Sequence, residues 1–153
     1  MDFDILFRLA NLSVVPAWIM LIFLPRWAGT KMLVHSMIYP LVLGVIYAIG
    51  LLWSVFGGMG AADGGFTTIA GVRALFSVDI GIFVGWVHYL LFDLFVGAWE
   101  ARDAQRRGFS HWLLIPCLLL TFVAGPFGLL LYVVLRAATK KGGWTLVEAE
   151  DAH

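Results

Sequence analysis

His88 and Asp93 are ionisable side chains in the middle of a run otherwise as apolar as lipid, IGIFVGWVHYLLFDLFVGAW. The run from Val78 to Trp99 has the length of a membrane-crossing helix, and its midpoint falls between these two residues. At about 1.5 Å of rise per residue, both should lie within several ångströms of the membrane centre. An aspartate there costs roughly 2.5–3.5 kcal/mol on insertion scales, so it requires a partner or a task. Lipid disfavours charge, and the pair reads as a neutral acid that can donate a proton and a neutral imidazole that can accept one. The substrate for such chemistry would be a hydrophobe entering from the bilayer.

Positions seven apart nearly coincide around a helix, which places Asp79, Trp86, Asp93 and Glu100 on one stripe with Gly97 beside it. Asp79 and Glu100 fall toward the ends, near headgroups, where a carboxylate is cheap; Asp93 is the expensive member. His88 projects roughly 140° away from Asp93 by the same arithmetic. The two therefore cannot clip one ion from a single face. A metal would need recruits such as His35 or Asp79, and no array of paired histidines is present, so no metal or other cofactor is expected. The bland alternatives are a hydrogen bond from Asp93 to Asn11, Ser13, Tyr39, Tyr47 or Thr121, and one from His88 to a carbonyl. Trp86, Tyr89, Glu100, Asp79 and Asn11 are the candidate substrate-binding residues.

The elements that position these groups follow from composition. The 153 residues are 61% hydrophobic and 13% charged, with a mean hydropathy of +0.92, where soluble domains are about half apolar and a quarter charged. Four runs qualify as spans: Ile5–Leu24, Met32–Trp53, Val78–Trp99 and Trp112–Leu135. They are too long for barrel strands, so the expected fold is all-α, a polytopic four-transmembrane-helix bundle forming one domain over residues 1–138. The tail over 139–153 reads as disordered. Trp27, Trp53, Trp99 and Trp112 fall at the predicted span ends, where an indole sits comfortably between headgroup and acyl chain. Between the second and third spans, FTTIAGVRALFS would place Phe66, Ile69, Val72 and Phe76 on one arc, which predicts a short interfacial helix. FVAGPFG in the fourth span should bend it or open a groove beside it. Gly81 and Gly85 permit close helix packing. His35 reads as interfacial.

The first run contains Arg8 and Asn11 and lacks a cleavage site, so it is not a signal peptide. The layout, without a transit stretch, is that of an integral protein of a prokaryotic inner membrane. Discounting Arg8, the basic residues lean toward both termini outside the cytoplasm. Cys117 is the lone cysteine, which rules out disulfides and Cys-rich metal sites within one chain. Net charge is zero, giving no support to nucleic-acid binding.

The stretch WVHYLLFDLFVGAWEARDA, followed by LLLTFVAGPFGLLLYVVLRA, resembles the small membrane proteins related to the plant abscisic-acid-deficient-four protein, which is associated with neoxanthin synthesis. The resemblance is good over about residues 71–136 and looser before them. Its most specific element is His88, then Asp93-Leu94-Phe95, then Asp103, ten residues after Asp93. The resemblance implies a carotenoid-linked function with His88, Asp93 and Asp103 as the catalytic positions. In the plant reaction a xanthophyll epoxide opens as a neighbouring proton is lost, giving an allene without net redox change. Asp93 and His88 suit the acid and base of that step, and Glu100 or Asp103 could relay protons to the surface.

The leading expectation is thus acid–base isomerisation of a carotenoid or related polyene inside the bilayer. The alternatives are metal-dependent cleavage of a carotenoid and a non-catalytic carotenoid-binding or accessory protein. A transporter subunit is a fourth reading and would require a homo-oligomer, since four short helices enclose no wet pore.

Overall fold

The structure is a computed structural model that describes residues 2–145. The part of the expected disordered tail from residue 146 onward lies outside the described residues. Within them the chain forms six helices and no strand: α1 (Phe3–Phe23), α2 (Ala28–Leu33), α3 (Ile38–Phe56), α4 (Ile69–Leu75), α5 (Asp79–Arg106) and α6 (His111–Ala138). Four stretches are long and apolar enough to cross a membrane: Phe3–Phe23, Ala28–Phe56, Asp79–Arg106 and His111–Ala138. The chain is an all-α membrane protein, as its hydropathy predicts.

Local chemistry sets the boundaries. The Asp2 carboxylate accepts the Ile5 amide at 3.2 Å and caps the start of α1. The second span, expected as one helix from Met32, is instead interrupted at residues 34–37. At that break the Thr30 carbonyl accepts both the Val34 and His35 amides, at 2.9 and 3.0 Å. The Thr30 hydroxyl ties the turn before α2 by donating to the Leu24 carbonyl at 2.6 Å. Pro40 has no amide to give the preceding turn, so α3 starts just before it, where helical amides are unpaired anyway. α4 is shorter than the predicted arc. The Thr68 hydroxyl caps it by accepting the Gly71 amide at 3.0 Å, which leaves Phe66 outside the helix.

α5 continues seven residues past the expected end at Trp99. At 28 residues it is about 42 Å long, against a hydrocarbon core of about 30 Å. α6 breaks as FVAGPFG predicts: Ala124 (φ −147°, ψ 40°) and Gly125 (φ 11°, ψ −81°) leave the helical region just before Pro126.

The chain divides into two compact units, and α1 and α5 each continue from one into the other. One consists of Met1–Val14 and Ile38–Leu91. In it the Phe3 and Phe83 rings lie 6.0 Å apart, and Gly50 lets α3 approach Val84. The other consists of Val15–Met37 and Phe92–His153. There Trp18 is buried against Gly97, with its ring 5.3 Å from that of Phe122.

Candidate functional site

In the first unit, His88 is exposed on α5 and faces Tyr47 of α3, with ring centroids 5.6 Å apart. Both line a cavity of about 250 Å³ whose other walls include Leu51, Ser54, Phe66 and Phe76. Gly81 and Gly85 also line it, and both let the chain after α4 pack closely on α5. A Cβ at Gly81 would collide with the Leu75 carbonyl, and one at Gly85 with the Phe76 ring. The small-residue spacing on α5 thus seats the turn leaving α4.

Three of the substrate-binding candidates come together in the same unit. Trp86 donates its indole N–H to Asn11 Oδ1 at 3.1 Å, and Asn11 in turn donates to the Phe7 carbonyl at 2.8 Å. Tyr89 stacks on Trp86 at 5.1 Å, and Phe7 packs on it at the same separation. Asn11 therefore satisfies an indole N–H that lipid would leave unpaired. Asp79 is not part of this group. It is exposed at the start of α5 and lines a separate cavity of about 490 Å³ with Asp2 and Asp4.

The second unit holds Asp93, Glu100 and Asp103, all buried. Asp93 packs against the break in α6, where a Cβ at Gly125 would overlap its carboxylate. Glu100, placed toward the end of its span by sequence position, is fully buried within the protein. The Thr121 hydroxyl, a candidate partner for Asp93, donates instead to Glu100, at 3.0 and 3.1 Å from its two oxygens. Asp103 Oδ2 accepts from the Tyr132 hydroxyl and from Arg136 Nη1, both at 2.6 Å. Its Oδ1 accepts from Arg107 Nε at 2.7 Å.

Arg136 is fully buried and also donates to the carbonyls of Gly143 and Thr145 at 2.6 and 3.0 Å. The expected tail is therefore held by hydrogen bonds at these two residues. Trp99, predicted at the membrane boundary, meets Tyr132 edge-on at 5.8 Å and lies 5.9 Å from the Arg136 guanidinium. His35 sits in the break between α2 and α3, partly buried, 3.5 Å from Arg102. Among the described residues, no three His, Cys, Asp or Glu side chains gather where they could hold a metal.

Sequence reasoning did not single out Tyr132 and Arg136 as partners of Asp103, although their spacing of four residues puts them on one face of α6. It named Tyr47 only as a possible partner of Asp93 and passed over Ser54. The seven-residue spacing of these two on α3 was the available signal.

A family model described as ABA4-like, ABA DEFICIENT 4-like, matches residues 5–132, and the chain belongs to that family. The family is carotenoid-related, and the four apolar helices make this member a membrane protein. No curated protein matches the chain, and no solved structure does.

Proposed function

We propose that this member of the ABA DEFICIENT 4-like family modifies a carotenoid or related polyene inside the bilayer by acid–base isomerisation. The observation that carries the reading is His88: an imidazole exposed near the middle of an apolar span, lining an apolar, aromatic-walled cavity. An ionisable group at that depth is a functional candidate by default. Here it also has a space that a ligand can enter.

His88 takes the role of base, removing a proton from a carbon next to the reacting ring. Asp93 takes the role of acid, assigned from its residue type and from the family resemblance. A proton is added to the ligand oxygen as a C–O bond breaks, and another leaves the adjacent carbon. Atoms balance, and nothing is oxidised or reduced. Asp103 enters as a stabilising carboxylate, because its two oxygens already accept three hydrogen bonds.

Purification in mild detergent tests the ligand class. The extracted protein should carry a polyene absorption spectrum, and its lipid extract a carotenoid or related isoprenoid. A colourless protein that takes up no added polyene would rule the class out.

A further inference from the structure

Tyr47 lies at the midpoint of α3, where hydrocarbon provides no water to bond a hydroxyl. Its side chain lines the cavity beside His88, and its hydroxyl has no hydrogen-bond partner among the described residues. A phenol in lipid without a partner loses the bond it would make in water, which makes it a donor waiting for an acceptor. Ser54, the other hydroxyl of the cavity, lies two turns nearer the end of α3. The remaining walls named above are apolar.

The cavity size limits what enters. At about 250 Å³ it falls below the range of about 300–1,000 Å³ typical of sites that enclose a whole drug-sized ligand. It admits one ring-sized end of a long apolar molecule, and the rest must lie outside it.

We infer that Tyr47 is a ligand-binding residue that donates a hydrogen bond to an oxygen carried by the ring end of an apolar isoprenoid, and so selects an oxygenated ring over a bare one. The inference rests on the reading of His88 and its cavity as the ligand site. Tyr47 and His88 then hold the same end group, the phenol on its oxygen and the imidazole beside its carbons.

The test measures binding to the full chain in lipid nanodiscs. The probes are a carotenoid with epoxidised end rings, its hydrocarbon counterpart with bare rings, and a single-ring isoprenoid epoxide without the polyene. The unmodified protein should prefer the epoxide over the hydrocarbon by roughly 3- to 10-fold, the worth of one net hydrogen bond. Tyr47→Phe should bring that ratio close to one while leaving hydrocarbon affinity unchanged, and Ser54→Ala should keep most of the preference. Equal affinity for both carotenoids in the unmodified protein overturns the inference without any variant needing to fold. A preference that survives Tyr47→Phe, or is lost only in Ser54→Ala, overturns it too. Should the single-ring epoxide bind with Tyr47 dependence while neither carotenoid binds, the inference stands and the carotenoid reading falls. Should carotenoids bind without preference, the reverse holds.

Discussion

Arg136 and Asp103 show why a charge inside an apolar helix has two physical meanings. Asp103 accepts from Arg136, Arg107 and Tyr132, so its charge is neutralised and its lone pairs are engaged. Removing one partner of such a pair leaves the other buried and uncompensated, which costs on the order of 3–5 kcal/mol. Arg136→Met should therefore lower stability by about that much in chemical or thermal unfolding. The Asp103→Asn/Arg136→Met double variant should be less destabilised than the sum of the two single changes, because it removes the shared charge pair. Glu100 has a weaker arrangement, with one hydroxyl, that of Thr121, shared by its two oxygens. Thr121→Val should cost about 1–3 kcal/mol, read by the same unfolding measurement. Thr121→Ser, which keeps the hydroxyl, should recover most of that loss. His88 is different in kind, being exposed to a cavity.

At the scale of the element, helix breaks and glycines make the room that side chains use. The non-helical turn at Ala124–Gly125 leaves space for the Asp93 carboxylate, and FVAGPFG made that break legible in advance through Gly125 and Pro126. Gly125→Ala should push Asp93 from its place. The expected outcome is lower product formation with the polyene still bound, measured as turnover against bound pigment. Gly85 makes room for Phe76 beside the His88 cavity. Gly85→Leu should displace that ring and fill the space, reducing the pigment bound per chain. Other features were not readable from the order of residues. The stripe arithmetic separated the directions of His88 and Asp93, but it located Glu100 by its distance from the span centre. A depth estimate of that kind has no information about α6, and Thr121 on α6 is what accommodates the buried carboxylate. The contacts of Trp99 were illegible for the same reason. Its indole meets Tyr132 edge-on and lies near the Arg136 guanidinium, and α5 runs on to Arg106.

For the whole molecule, hydropathy decided almost everything about class. Four runs of apolar residues predicted four membrane-crossing stretches, and four are present. The interruption at 34–37, where the Val34 and His35 amides share the Thr30 carbonyl, is a matter of local hydrogen bonding that an apolarity average does not register. The functional reading depends on two supports: the family, which makes the chain carotenoid-related, and His88, which provides an ionisable group in an apolar cavity. The most direct test of their combination is turnover by the full chain in lipid nanodiscs supplied with an epoxidised carotenoid, with products separated by chromatography and weighed by mass spectrometry. The expected result is an isomer of unchanged mass, formed by the unmodified protein and absent with His88→Ala even though that variant still holds pigment. Conversion by His88→Ala at the unmodified rate, or no conversion by an unmodified protein loaded with the epoxide, would contradict it.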